Sequence, residues 1–369
     1  MNNLKNEERA VFALRSLYRQ YGYTQYKMSK FEEYDLYSRN KEFLISDSVI
    51  TFTDTNGKLM ALKPDVTLSI IKNGQDTPGL VQKVYYNENV YRVSSGTRSF
   101  KEIMQTGLEC IGDIDTYCLF EVLMLAAKSL RTISADCVLD IAHLGLVSAL
   151  LDDLALPDTE RALKCIGDKN LHELSALCEA ANANEQTASL LKGLLSLYGT
   201  PATVLSRLQE LLTGTPYEPQ LAELSAVVTP LVEAGFGDVV RLDFSVIHNR
   251  KYYNGIVFRG FVKGVPTGIL SGGQYDRLMH KMGRKAGAVG FAVYLDLLEE
   301  LAAPANTFDI DCVLLYDGET ELSALNAAVA ALTAAGKTVT AQRTVPEKLN
   351  YRQLLRLAGK EVVTLEEHA

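Results

Sequence analysis

The chain has 369 residues, of which 47% are hydrophobic and 22% charged, and its formal net charge is −8. This composition is typical of a globular protein, and the length predicts two or three domains. No apolar run reaches the roughly 18 residues of a membrane span, and the acidic balance argues against nucleic acid as principal partner. The charged N-terminal segment does not resemble a secretory signal, so we expect a cytoplasmic protein.

Cysteine and histidine are dispersed rather than clustered. The six cysteines include no CxxC pair, and the five histidines add no zinc-ligand spacing. The Gly272-Gly273 pair lacks the GK[ST] ending of a phosphate-binding P-loop. The sequence therefore predicts buried reduced thiols, no metal site, no cofactor and no catalytic residues of its own.

The first 155 residues alternate between helical and strand patterns. Residues 1–22 carry apolar side chains at helical spacing. Residues 49–67 alternate around Asn56-Gly57, which is a strong signal for a tight β-hairpin. The pattern then predicts strands at 81–93 and 102–112, and helices at 116–131 and 143–155.

A long helical stretch then interrupts the strands. Residues 157–235 read as helices, and the strand pattern returns at 239–247, 254–261 and 267–273, with a helix at 275–282. The pattern of the last 60 or so residues predicts five elements in turn: a strand, a helix, a second strand, a helix at 350–358 and a final strand. We therefore expect a core of residues 1–142 and 236–303, a helical insertion at 143–235, and a small α/β module at 304–369.

Five motifs in a fixed order carry a family resemblance. They are ALKPDVT (61–67), VYRVSSGTRSFKEIMQTGLECIGD (90–113), KYYNGIVF (251–258), GILSGGQYDRL (268–278) and GAVGFAVYLDLL (287–298). Together they resemble the histidyl-tRNA synthetases over roughly residues 10–300. The resemblance implies an α+β fold with the antiparallel sheet of class II synthetases, and a homodimer.

The amino-acid pocket of that family is kept in chemical kind. A free amino acid with an imidazole needs a carboxylate for its ammonium and polar partners for both ring nitrogens. Gln105 and Glu109 stand four apart on a predicted strand, so both point to one face. The resemblance implies histidine binding by seven residues, with Asp replacing Glu at the first: Asp65, Thr67, Gln105, Glu109, Tyr252, Tyr253 and Tyr275.

The nucleotide side of the site is not kept. The resemblance implies that Arg92 is the arginine that meets the α-phosphate, a residual nucleotide-site residue. Three other positions that should carry charge read Ser94, His248 and Leu297. An alkyl group at 297 cannot clamp a phosphate, and the loss of a fixed charge costs orders of magnitude in rate. We expect a protein that holds histidine without activating it.

This combination is similar to the regulatory subunits of ATP phosphoribosyltransferase, which are synthetase paralogues. The resemblance implies a short catalytic chain as partner, feedback by L-histidine on the first step of histidine biosynthesis, and homodimers within a hetero-octamer. The C-terminal module is shorter than an anticodon-binding domain. Alternatives remain: an active synthetase with degenerate motifs, a paralogue for another small molecule or protein partner, and pocket residues that are purely structural.

Overall fold

The computed structural model describes residues 6–44, 48–74, 76–93, 97–246, 250, 252–300, 308–345 and 347–368. By its internal contacts the chain divides into two compact units, residues 1–301 and 302–369. The boundary expected at 303/304 falls in a stretch outside the described residues. No helix in the described part of the chain is long and apolar enough to cross a membrane.

The first unit begins with a helix, a small sheet and a long hairpin. Its elements up to residue 143 are α1 (Asn6–Gln20), β1 (Thr24–Gln25), β2 (Phe31–Glu33), α2 (Tyr34–Ser38), β3 (Thr51–Thr53), β4 (Leu59–Leu62), α3 (Thr67–Asn73), β5 (Gln82–Val93), β6 (Phe100–Gly112), α4 (Thr116–Ile133) and β7 (Cys137–His143). The predicted hairpin around Asn56-Gly57 is confirmed as β3 and β4.

Six helices then lead back to the strands of the main sheet. The remaining elements of the unit are α5 (Leu144–Leu154), α6 (Thr159–Gly167), α7 (Leu171–Ala180), α8 (Glu185–Ser196), β8 (Tyr198–Gly199), α9 (Pro201–Leu212), α10 (Glu218–Leu231), β9 (Val240–Asp243), β10 (Ile256–Val262), β11 (Leu270–Gln274), α11 (Asp276–Lys281) and β12 (Gly287–Tyr294). These elements confirm the predicted helices and the strands predicted at 254–261 and 267–273. Of the strand predicted at 239–247, residues 240–243 form β9, and residue 247 lies outside the described residues.

In the described part of the chain, the main sheet has nine strands in the order β1-β5-β6-β12-β11-β10-β7-β9-β8. Among these described strands, only the β1–β5 and β7–β9 pairs are parallel, so the predicted largely antiparallel sheet is confirmed. The central strands β6, β12, β11 and β10 place side chains from distant parts of the sequence side by side.

The two faces of this sheet carry different cores. Tyr85 and Leu108 face the larger hydrophobic cluster, which includes apolar side chains of α1 and α4. Val84 and Tyr86, one residue away on β5, face a second cluster that includes Tyr252 and side chains of α3 and α11. Because side chains alternate along a strand, this separation follows from the period of two.

The helical stretch at 143–235 packs directly on the sheet. Buried leucines of α5, α8, α9 and α10 belong to the same cluster as Tyr85 and Leu108. The segment is therefore helical, as the periodicity predicts, and is counted within the first compact unit.

The second unit contains β13 (Ile310–Leu315), α12 (Leu322–Ala334), β14 (Val339–Gln342), β15 (Tyr351–Ala358) and β16 (Glu361–Glu367). Its sheet has the order β14-β13-β15-β16. The helix predicted at 350–358 is wrong, since this segment is β15. Its Leu, Arg, Gln and Ala residues favour a helix locally, but β15 pairs with β13 on one side and with β16 on the other. Tertiary pairing has overridden a weak local preference.

Candidate ligand-binding site

A cavity of about 600 Å³ opens on the face of the main sheet that carries Val84 and Tyr86. Cavities of this size accommodate small-molecule ligands. All seven side chains predicted to bind the amino acid line it: Asp65, Thr67, Gln105, Glu109, Tyr252, Tyr253 and Tyr275. They come from the start of α3 and the residues just before it, from β6, and from the residues that precede β10 and α11.

Glu109 lies buried in the cavity between two hydrogen-bond donors. Its carboxyl group is buried, and it accepts hydrogen bonds from Thr67 Oγ1 at 2.7 Å and from the Tyr275 hydroxyl at 2.6 Å. Burial raises the pKa of Glu109 to about 8, although the two hydrogen bonds oppose the rise. A cationic or hydrogen-bond-donating ligand group would stabilise the ionised carboxylate.

Asp65 provides a second carboxylate at the cavity wall. Its Oδ1 accepts a hydrogen bond of 2.9 Å from the backbone N–H of Leu68, in the first turn of α3. Burial raises the pKa of Asp65, and the Leu68 hydrogen bond and the charge of Arg92 oppose that rise. The helix start thus fixes the orientation of the carboxylate that the sequence assigns to an ammonium.

Gln105 carries a buried donor that remains unsatisfied. Its side chain is 3% exposed, and no hydrogen-bond partner for Nε2 exists among the described residues. Gln105 and Glu109 both reach the cavity, as their spacing on β6 predicts. A buried amide without a partner is unfavourable, so this atom is positioned for a ligand acceptor.

Three tyrosines form an aromatic wall beside Glu109. The ring centroids of Tyr252 and Tyr253 lie 4.6 Å apart, and those of Tyr252 and Tyr275 lie 5.8 Å apart. Burial raises the pKa of Tyr253 and Tyr275, so both phenols stay protonated at neutral pH. The wall offers flat apolar surface together with hydroxyl groups, which suits a planar heterocycle.

Glycines let these side chains lie close to the sheet. A Cβ atom on Gly290 would collide with Glu109 Oε2, and one on Gly107 would come within 2.5 Å of the Tyr86 hydroxyl. Such positions in a strand are typical of a ligand-binding surface.

The comparison with known proteins decides the family. A family model described as histidyl-tRNA synthetase matches residues 2–298. The chain belongs to the histidyl-tRNA synthetase family.

Relatives within this family carry a regulatory name. The chain is 29% identical over 291 residues to the ATP phosphoribosyltransferase regulatory subunit of Oceanobacillus iheyensis, covering 78% of this chain and 71% of that protein. It is 25% identical over 350 residues to the protein of the same name from Clostridium acetobutylicum, covering 91% and 84%. The resemblance to this group of synthetase paralogues, inferred from the motifs, is confirmed.

A solved structure shows the same fold. It is an ATP phosphoribosyltransferase regulatory subunit/histidyl-tRNA synthetase from Bacillus halodurans, with a TM-score of 0.76 and 25% identity. The match covers 95% of this chain and 93% of that chain. The predicted α+β fold with a class II synthetase-like core is therefore confirmed.

Of the four residues at the family's nucleotide-binding positions, two line the cavity and two lie outside the described residues. Leu297 lines the cavity where the synthetase motif expects an arginine. Arg92 also lines it, and its Nε donates a hydrogen bond of 3.1 Å to the carbonyl of Pro64. Ser94 and His248 lie outside the described residues.

Among the described residues, five further polar side chains line the same cavity and were not predicted from the sequence. They are Tyr86, Arg259, Ser271, Tyr294 and Asp296. Tyr86 and Tyr294 follow the period of two on β5 and β12, and Asp296 stands next to Leu297. No local signal marks Arg259, because only the pairing of β10 with β11 brings it to the cavity.

Proposed function

We propose that this chain is a non-catalytic regulatory subunit of ATP phosphoribosyltransferase and that it binds histidine in the cavity above β6. The names of the relatives from Oceanobacillus iheyensis and Clostridium acetobutylicum support the regulatory role. The name of the Bacillus halodurans structure includes both the regulatory subunit and the synthetase. The choice between a regulatory subunit and a synthetase therefore rests on the chemistry of the cavity.

The observation that carries the proposal is the buried Glu109 carboxyl group between Thr67 and Tyr275. A carboxylate taken out of water costs free energy unless it is paired. An acceptor with two fixed donors and an adjacent aromatic wall matches an imidazole N–H. Asp65 supplies the negative charge for an ammonium group, so the polar groups match free histidine.

The opposite side of the cavity argues against adenylation. An activating enzyme must stabilise the charge that develops on the α-phosphate, and arginines do this most effectively. Leu297 contributes an alkyl chain at the position of one such arginine. Arg92 remains, and the Pro64 carbonyl accepts one of its five N–H donors.

The proposed regulation is a linkage between two chains. Histidine binds this subunit, and the catalytic chain of ATP phosphoribosyltransferase changes activity because the ligand favours one conformation of the complex. A coupling free energy of about 1–3 kcal/mol is typical of such effects. We propose four catalytic and four regulatory chains, with the regulatory chains as homodimers.

Two measurements test the proposal. Calorimetry with histidine on the full chain should give one site per chain, and Glu109→Ala should abolish the signal. Co-purification with a short catalytic chain, followed by assay with and without histidine, should show activity that depends on this chain and falls with histidine. Arg207→Gln, a change at an exposed surface residue, serves as the control for both.

The alternatives give different results. Histidine-dependent ATP–pyrophosphate exchange would show an active synthetase and contradict the regulatory proposal. An absence of histidine binding would favour a paralogue with another ligand. A complex that forms but whose activity does not change with histidine would support the proposed partner and contradict the proposed feedback.

A further inference from the structure

Arg259 lies between a row of small side chains on the cavity floor and the buried carboxylate of Asp140. On one side Arg259 pairs across strands with Ser271 of β11, Ser271 pairs with Ala292 of β12, and Ala292 pairs with Gly107 of β6. On the other side Arg259 pairs with Asp140 of β7. Directly paired residues project to the same face of a sheet. Arg259, Ser271 and Ala292 all line the cavity, so the row forms part of its floor.

Neighbouring groups restrict the position of the Arg259 side chain. Its guanidinium carbon lies 5.4 Å from the ring centroid of Phe261, two residues along the same face of β10. A Cβ atom on Gly268 would overlap the Arg259 side chain, so the glycine leaves the space that this side chain occupies. The guanidinium group is thus partly preorganised.

A second guanidinium group, that of Arg92, also lines the cavity and affects the same tyrosine as Arg259 does. Burial raises the pKa of Tyr294, and the positive charges of Arg92 and Arg259 oppose that rise. Both charges therefore lie within electrostatic range of the Tyr294 phenol. Three carboxylates, those of Asp65, Glu109 and Asp296, line the cavity as well, so it carries both signs of charge.

The sheet register sets the distance between the charges. Glu109 pairs with Gly290, Gly290 with Gly273, and Gly273 with Val257, which is two residues from Arg259 on β10. Three strand spacings and two residues separate the Cα atoms of Glu109 and Arg259 by about 16 Å. Both side chains line the cavity between these positions, which suits a ligand as long as a free amino acid.

We propose that Arg259 binds the α-carboxylate of the amino-acid ligand, an inference that rests on the proposed histidine site. The imidazole lies towards Glu109 and Tyr275, the ammonium group towards Asp65, and the carboxylate towards Arg259. The planar guanidinium fork donates two parallel hydrogen bonds to a carboxylate. Arg259 then makes the site select an amino acid over the amine that lacks its carboxylate.

The experiment compares histidine with histamine, its analogue without the carboxylate. The dissociation constant of each is measured by calorimetry for the unmodified chain, for Arg259→Gln and for the control Arg207→Gln. We expect Arg259→Gln to weaken histidine binding by roughly 10–100-fold, the effect of losing a hydrogen bond to a charged group. Histamine binding should stay unchanged or tighten, and Arg207→Gln should change neither.

The outcomes separate this inference from the proposed function. If the unmodified chain binds histidine and Arg259→Gln weakens both ligands equally, or neither, Arg259 does not read the carboxylate and only this inference fails. If the unmodified chain does not bind histidine, both fail. Arg259→Lys keeps the positive charge but loses the planar fork, so its affinity for histidine should lie between those of the unmodified chain and Arg259→Gln. This variant provides a second test if the glutamine variant is unstable.

Discussion

Thr67 Oγ1 donates a hydrogen bond of 2.7 Å to Glu109 Oε1, although the two residues are 42 positions apart in the sequence. Thr67 begins α3, and Glu109 lies on β6. The contact ties the wall of the cavity to its floor. Because Tyr275 holds the other carboxylate oxygen, the Glu109 side chain is oriented from both sides.

We expect Glu109→Gln to stabilise the free protein at pH 8 while it weakens histidine binding. Glu109 has a folded pKa of about 8 against an ordinary value of 4.5. Its contribution to folding is fully present below pH 4.5 and is lost as the pH rises to about 8, because the unfolded state releases its proton first. Over that window the stability difference between the two proteins should change by up to about 1.4 kcal/mol per pH unit.

Denaturant unfolding of both proteins at several pH values between 4.5 and 8 measures this difference. Glu173→Gln is a control, because that half-exposed carboxylate is paired with Arg161, which lowers its pKa and keeps it ionised across this window. A difference that stays constant across the window would show that Glu109 titrates normally in the folded chain.

Tyr275→Phe should weaken histidine binding by about tenfold or more. The change removes the 2.6 Å hydrogen bond to Glu109 Oε2 and leaves a buried acceptor unsatisfied, a loss of about 1–3 kcal/mol. Calorimetry measures the effect, with Tyr198→Phe as a control because Tyr198 is exposed. Equal affinities for the two variants would remove Tyr275 from the site.

Leu297→Arg alone should not create ATP–pyrophosphate exchange. The variant returns one positive charge to the cavity wall, but positions 94 and 248 still read serine and histidine. Stabilising an α-phosphate transition state needs several preorganised charges together. A radiolabelled exchange assay, run beside an active histidyl-tRNA synthetase, checks this. Turnover in the single variant would mean that the remaining groups already suffice.

Gly359→Val should destabilise the β15–β16 hairpin by about 1–2 kcal/mol or more, since Gly359 has φ +62°. The hairpin closes at the Ala358–Glu361 pair through a two-residue turn. Hydrogen exchange of the β15 and β16 amides measures the change. Gly318→Val is the matched control, because a Cβ there meets open space and the backbone is not left-handed. Equal protection in both variants would contradict the prediction.

The period of two along β6 is enough by itself to place Gln105 and Glu109 on one face of the strand. The motif order likewise predicts the family, and local patterns predict the helical stretch and the hairpin at Asn56-Gly57. These features are local or depend on short sequence patterns, so they can be predicted from a single sequence. The histidine roles of the seven residues remain a prediction.

Pairing between strands that are distant in the sequence cannot be predicted from local patterns in the same way. The segment 350–358 has the composition of a helix and becomes β15 only because β13 and β16 offer it hydrogen-bond partners on both sides. Arg259 reaches the cavity through the register of β10 with β11. The sequence by itself determined which side chains share a face of each element. Tertiary structure alone decided which faces meet, because strand neighbours and register depend on the whole sheet.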